Sequence, residues 1–131
     1  MKKHDLEKRL INFAVLIIEI VETMPNSKSA NHMGGQLLRS GTSPALNYGE
    51  AQSGESRKDF IHKMKVALKE LRETFVGLKI VYQAKLFKSE GKIQSALQEA
   101  DELIAIFVTS VQTAQRNNER QVSDTSKFKN R

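Results

Sequence analysis

The sequence predicts an all-α protein, an antiparallel four-helix bundle with a kinked or broken second helix. Apolar residues recur at steps of three and four in four segments joined by short connections, which is the period of a helix face. The composition agrees, because the 131 residues include 2 Pro, no Trp and only 6% aromatic residues. We assign residues 1–118 to the bundle, as one domain, and residues 119–131 to a disordered polar tail.

The first helix is predicted over residues 5–24, and it is apolar over more than one face. Asp5 is the expected N-cap, and Pro25 ends the helix because the residue before a proline is pushed out of the helical conformation. We predict that a second apolar stripe contacts another copy of the chain, since a small bundle has few fully buried helix positions. Deep burial inside the bundle is the alternative. This α1 stripe consists of Ile11, Ala14, Val15 and Ile18.

The second segment, residues 28–53, is rich in glycine and contains Pro44. Ser43 before Pro44 predicts either the start of a new helix or a kink within one longer helix. The glycines indicate either close helix approach at Gly34 and Gly35 or flexibility.

The third and fourth helices are predicted over residues 56–86 and 90–117. Ser56 and Asp59 have the spacing of a capping box, with Asp replacing the usual Glu, so the third helix should begin there. Its predicted core residues are Phe60, Met64, Ala67, Leu71, Phe75, Leu78 and Tyr82. Those of the fourth helix are Ile93, Leu97, Ala100, Ile104, Phe107, Val111 and Ala114.

The positive charge is concentrated on the third helix. The chain has a formal net charge of +6, and residues 56–88 alone contain nine basic against three acidic residues. On a helical wheel, five cations share one side of the helix, about 120° from the predicted core. This basic stripe consists of Lys58, Lys65, Lys69, Arg72 and Lys79, and Arg57 lies beside it.

Cations aligned on a long helix are suited to the regularly spaced phosphates of a nucleic acid. The alternatives are a solvated surface, or ion pairs with Glu99, Asp101 and Glu102 of the fourth helix. The sequence contains no zinc-finger, RNP or helix-turn-helix pattern that would read bases. We therefore expect phosphate contacts without base recognition.

The sequence predicts that this protein is not an enzyme. The absence of Cys excludes disulfides, Cys-ligated metals and thiol nucleophiles. A di-iron bundle site needs two Glu-x-x-His motifs, whereas this chain has only Asp59-x-x-His62. We predict no catalytic residue, metal or cofactor. The longest apolar run has six residues, at 13–18, far short of the roughly 20 of a membrane helix, and no signal peptide is evident. We therefore expect a cytoplasmic protein without a membrane partner.

Residues 39–74 resemble the signature of a known family. The matching residues are Arg39-Ser40-Gly41-Thr42-Ser43, Asn47, Glu50-Ala51-Gln52, Ser56-Arg57-Lys58-Asp59-Phe60-Ile61, Ala67-Leu68-Lys69-Glu70 and Arg72-Glu73-Thr74. Over residues 5–118 the chain is similar to bacterial four-helix-bundle proteins of the 23S rRNA intervening-sequence family. This chain has Pro44-Ala45-Leu46 where that family commonly has Ile-Gly-Ala. The difference affects the expected kink and local packing of the second helix, but not the expected bundle.

That family is similar to the accessory variability proteins of diversity-generating retroelements, which form basic pentamers and engage reverse transcriptase and nucleic acid. The resemblance thus implies a homopentamer with a non-catalytic role, and nucleic acid and a reverse transcriptase as candidate partners. The resemblance also implies that Arg57, Lys58 and Lys69, which match the family signature, are candidate contacts to nucleic acid. Our leading hypothesis is a non-enzymatic homo-oligomer that binds RNA or other nucleic acid through the basic stripe and Arg57. The alternative is a scaffold ring that docks an acidic protein partner.

Overall fold

The computed structural model describes the backbone of residues 2–53 and 56–129 and side chains through residue 121. It contains four helices, α1 (Lys3–Glu22), α2 (Lys28–Gln52), α3 (Arg57–Gln83) and α4 (Glu90–Lys129). Each helix packs on its neighbours in sequence, and α4 also packs on α1. The predicted all-α four-helix bundle is confirmed. Among the described residues, no helix combines the length and apolarity required to cross a membrane.

Side-chain caps define where three of the helices begin. At the start of α4, Ser89 Oγ accepts a hydrogen bond from the Lys92 amide at 3.3 Å. Ser27 Oγ accepts a hydrogen bond from the Ala30 amide at 3.1 Å, at the start of α2. Ser56 Oγ accepts one from the Asp59 amide at 3.1 Å, which confirms the predicted start of the third helix. The predicted N-cap Asp5 is wrong, because the N-cap of α1 is Lys2. Asp5 lies in the first turn instead, where its charge favours the positive end of the helix dipole.

α2 is one continuous helix that contains Pro44. Of the two predicted alternatives, one longer helix is therefore confirmed, and the start of a new helix at Pro44 is wrong. Pro44 has no amide hydrogen to donate to the carbonyl of Ser40. The hydroxyls of Ser40, Thr42 and Ser43 each donate to the carbonyl four residues earlier. Both features favour a bend of the helix at this turn.

The core follows a seven-residue repeat on α3 and α4. The buried α3 residues at alternating steps of three and four are Met64, Ala67, Leu71, Thr74, Leu78 and Val81. Their counterparts on α4 are Ile93, Ala96, Ala100, Leu103, Phe107 and Val111. Six residues predicted as core are only partly buried, because each lies either directly after a buried position of the repeat or near an end of the buried row. These are Phe60, Phe75, Tyr82, Leu97, Ile104 and Ala114.

α1 and α2 approach closely at two glycines. A Cβ atom at Gly34 would lie 3.1 Å from Val21 Cγ1, and one at Gly41 would lie 2.9 Å from both Cγ atoms of Ile17. A Cβ atom at Gly35 would meet nothing within 4 Å. The predicted close approach is therefore confirmed at Gly34, does not involve Gly35, and is tightest at Gly41.

α4 continues through Lys129, beyond the predicted end at residue 117. No Gly or Pro follows Gly91, so nothing in the later sequence interrupts the helix. The backbone of residues 119–129 is helical, whereas we predicted a disordered tail. The division of the chain at residue 118 stays a prediction.

The glycine contacts give a test of the packing. We expect Gly41→Ala to lower the free energy of unfolding by about 1–3 kcal/mol, because the buried Ile17 side chain must move. Gly35→Ala, on the same helix, should raise it by about 0.5–1 kcal/mol, because the added methyl group is unobstructed and favours the helix. Urea unfolding followed by circular dichroism measures both. Equal effects of the two substitutions would contradict the close approach at Gly41.

Candidate nucleic-acid interface

Four members of the basic stripe form a straight column on α3. Lys58, Lys65, Arg72 and Lys79 follow one another at intervals of seven residues, which is about 10.5 Å along a helix. The buried residues of α3 follow the same repeat, so the column keeps a constant position relative to the core. Lys69 is one turn from both Lys65 and Arg72. The cations therefore do not wind around the helix but stay on one side of the bundle.

The side chains of the basic stripe and Arg57 are all exposed. Within residues 2–53 and 56–121, none of them forms an ion pair with a carboxylate. Lys79 Nζ lies 4.3 Å from the centroid of the Phe75 ring, which is a cation–π contact. Such a contact leaves the charge of Lys79 in place. All six predicted contact residues thus present their charge to solvent.

Carboxylates on the same helix bind partners in α2. Glu73 Oε2 accepts a hydrogen bond from Arg39 Nη2 at 3.0 Å. Glu70 Oε1 accepts one from Asn47 Nδ2 at 2.7 Å. Both contacts join α2 to α3. They direct Glu70 and Glu73 toward α2, so these two carboxylates do not neutralise the basic stripe.

The carboxylates of α4 do not pair with the basic stripe either. Arg9 of α1 donates two hydrogen bonds to Glu99, one of them from Nε to Oε2 at 3.0 Å. The hydrogen bonds to Glu99 raise the pKa of the Arg9 guanidinium above its ordinary value. Asp101 and Glu102 form no ion pair within the described part of the chain. The alternative prediction, that Glu99, Asp101 and Glu102 form ion pairs with the basic stripe, is therefore wrong for the described residues.

A groove of about 850 Å³ lies beside the basic stripe. Lys65, Lys69 and Arg72 line it, together with the apolar residues Val76 and Ile80. Val76 is 55% exposed and Ile80 is 48% exposed, which is unusual for large apolar side chains. Sequence analysis missed this α3 groove. The available signal was that Val76 and Ile80 follow Arg72 at steps of four, on the same side of α3 as the cations.

The α1 stripe is exposed in the single chain. Ile11 and Val15 are each 47% exposed, Ile18 is 40% exposed, and Ala14 is partly buried. Deep burial of this stripe inside the bundle, the alternative, is therefore wrong. A row of apolar side chains at helical spacing in water is typical of a surface that binds a partner.

The polar groups between the helices are satisfied by other groups of the bundle. Thr74 Oγ1 donates to Ser40 Oγ at 2.9 Å, and Ser40 Oγ donates to the carbonyl of Gln36 at 3.0 Å. The Tyr48 ring packs edge-on to Phe107, and burial together with the charge of Glu7 raises the pKa of Tyr48. These contacts stabilise the packing of the helices. Over the described residues, no cluster of His, Asp and Glu is suited to holding a metal ion.

Comparison with known proteins places this geometry in a family. The fold is similar to the crystal structure of a protein of unknown function from the S23 ribosomal protein family of Bacteroides thetaiotaomicron VPI-5482. The two are 29% identical, with a TM-score of 0.77, over 86% of this chain and 99% of that chain. No curated protein matches the chain. Residues 2–109 match the family model of the 23S rRNA-intervening sequence protein. The chain belongs to the 23S rRNA-intervening sequence protein family.

Proposed function

We propose that the protein is a non-enzymatic homo-oligomer that binds RNA or other nucleic acid through phosphate contacts from the basic stripe and Arg57. The observation that carries this proposal is a contrast between two sets of cations. Each helix has one cation that is paired with a carboxylate, namely Arg9, Arg39, Lys63 and Lys92. The basic stripe and Arg57 are exposed, and within residues 2–53 and 56–121 they have no such partner. Other exposed cations without an ion pair in those residues, such as Lys8 and Lys28, do not share this arrangement along one helix.

The column of cations has the dimensions of a backbone contact. From Lys58 to Lys79 it extends over about 31 Å of helix. Cations that neutralise phosphates release condensed counterions, and this favours binding without reference to base sequence. The proposal assigns these cations to phosphate contacts, which position a protein on a nucleic acid but carry no sequence information. The proposed interaction is therefore strong in dilute salt and independent of sequence.

The family name supports RNA as the first nucleic acid to examine, since it refers to an intervening sequence of 23S rRNA. We propose a pentamer in the cytoplasm, with the α1 stripe in the subunit interface. A symmetric assembly would repeat the basic stripe once per subunit. Several weak phosphate contacts would then act together, and the overall affinity for a nucleic acid would rise. A reverse transcriptase as partner stays a prediction, as does the scaffold ring for an acidic protein, which would use the same cations.

RNA binding can be tested with three cations that lie outside the α3 groove. The variant Arg57→Gln, Lys58→Gln, Lys79→Gln should bind a 30-base-pair RNA duplex at least about tenfold more weakly in 0.1 M salt. The slope of log affinity against log salt should decrease in magnitude by roughly 2 to 3, because about 0.9 counterions are released per phosphate contact. Filter binding at several salt concentrations measures both quantities.

The matched control is Lys28→Gln, Lys63→Gln, Lys92→Gln, which removes the same charge elsewhere on the surface. It should bind RNA within about threefold of the wild type, because these lysines lie outside the basic stripe and two of them are already paired with carboxylates. It should also stay folded, because exposed ion pairs contribute little to stability. A second duplex of unrelated sequence should bind the wild type equally well. Affinity that does not depend on salt, or equal losses in both variants, would refute the proposed interface.

The assembly is tested separately, by mass. Light scattering at about 20 µM should give five times the chain mass of 14.8 kDa, because burying the exposed α1 stripe favours association. The variant Ile11→Ser, Val15→Ser, Ile18→Ser should have the mass of one chain and keep its helical circular dichroism. A wild-type mass of 14.8 kDa would exclude the homo-oligomer.

A further inference from the structure

We infer that the turn between α3 and α4 binds an unpaired nucleotide, with stacked aromatic rings for the base and lysines for the phosphate. This α3–α4 turn consists of residues 84–89. The inference rests on the proposed nucleic-acid binding and names a part of the ligand that the basic stripe does not contact. The chain has 2 Tyr and 6 Phe, and residues 74–89 contain three of them, together with three Lys and no Asp or Glu. Aromatic residues interleaved with cations are typical of surfaces that bind single-stranded nucleic acid.

Two aromatic rings stack on each other at this end of the bundle. The rings of Tyr82 and Phe87 are nearly parallel, with an angle of 6° between their planes and 5.7 Å between their centroids. Both side chains are partly exposed. The Tyr82 hydroxyl donates to Glu90 Oε1 at 3.2 Å, which holds the ring in place. This aromatic pair is therefore a fixed surface on which any base can stack, because every base has a π-face.

Three lysines lie next to the aromatic pair along the chain. Lys79 is one helical turn before it, and Lys85 and Lys88 are in the α3–α4 turn itself. All three side chains are exposed, and over the residues whose side chains are described none of them forms an ion pair. They outnumber the single carboxylate that contacts the aromatic pair, that of Glu90. Because Lys79 is also the last cation of the basic stripe, the turn continues that stripe beyond the end of α3.

The backbone indicates a use for the Lys85 side chain. Lys85 has a φ of 57°, and in the described part of the chain no other residue besides glycine has a positive φ. Its amide donates to the Tyr82 carbonyl at 3.2 Å, and the next amide donates to the Val81 carbonyl at 3.0 Å. These bonds define a Schellman motif, in which glycine is usual at this position because a side chain is disfavoured there. A lysine thus occupies a position that glycine would fit better, and its charge gives the side chain a function.

The turn and the basic stripe together specify a ligand that has paired and unpaired parts. Phosphates of a duplex and of a single strand both suit the cations of the stripe. The aromatic pair suits only bases that are not already stacked in a duplex, such as those of loops and single-stranded ends. The ligand that would engage both surfaces is an RNA duplex with a single-stranded end or loop.

A comparison of RNA ends tests the inference. The probes are a blunt 30-base-pair duplex, the same duplex with a single-stranded end of six uridines, and a third whose single-stranded end lacks bases. The wild type should bind the uridine end about tenfold more tightly than the blunt duplex, because stacked bases add affinity. The end without bases should add no more than about twofold. Filter binding in 0.1 M salt measures these ratios.

Variants of the turn separate base stacking from a structural role. Tyr82→Leu, Phe87→Leu should lose the tenfold gain and bind the blunt duplex as the wild type does. Tyr82→Phe keeps the ring and should keep the gain. Lys85→Gly should raise the urea midpoint of unfolding, because glycine suits the left-handed conformation, and yet weaken binding to the uridine end about threefold. The control Lys8→Gln removes the same charge from α1 and should leave that binding unchanged.

Tyrosine emission reports the contact directly. The chain has no Trp and 2 Tyr, and Tyr48 is only 5% exposed. A single-stranded uridine hexamer should therefore quench the emission of Tyr82. In Tyr82→Phe the quenching should disappear although the affinity gain remains.

Several outcomes would overturn the inference. Equal affinity of the wild type for the blunt duplex and the uridine end would do so, as would a gain that survives in Tyr82→Leu, Phe87→Leu. Either result leaves the basic stripe to its own test. If the double variant unfolds, the more stable Lys85→Gly decides, and undiminished binding to the uridine end then contradicts the inference. Binding of the uridine end without binding of the blunt duplex would support the turn and refute the proposed role of the stripe.

Discussion

The seven-residue repeat of buried side chains on α3 is the constraint on which the surface arrangement depends. Since Met64, Leu71 and Leu78 pack into the core at that interval, every residue seven positions apart keeps the same direction relative to the bundle. Cations at the same interval therefore stay in line over the length of α3. On a helix packed with a different period, the same lysines would drift around the axis and face several neighbours.

The four ion pairs of the described residues join neighbouring helices and do not include the basic stripe. Arg9 binds Glu99 between α1 and α4, and Lys63 binds Glu50 at 2.5 Å between α3 and α2. Exposed pairs of this kind contribute little stability each, but they determine which charges remain available to a partner. The cations of the basic stripe keep their charge and lie close together, which concentrates positive potential along one side of α3.

Large apolar side chains are exposed on α1 (Ile11, Val15 and Ile18) and on α3 (Val76 and Ile80). Their burial would contribute free energy in proportion to the area covered, roughly 25 cal/mol per Å². The exposed residues of α3 lie beside the basic stripe, so apolar and cationic side chains share this side of the bundle.

The sequence by itself determined the class of fold, the start of α3 at Ser56 and the alignment of the basic stripe, because these follow from local hydrogen bonding and from helical periodicity. It did not determine the N-cap of α1, which depends on capping context. Nor did it determine that Thr74 and Val81 are buried in place of Phe75 and Tyr82, which depends on how the neighbouring helices pack on α3. Only the tertiary structure decided which cations are paired and that Val76 and Ile80 line a groove. Ion pairs and grooves depend on distances between helices, and a helical wheel contains no such distance.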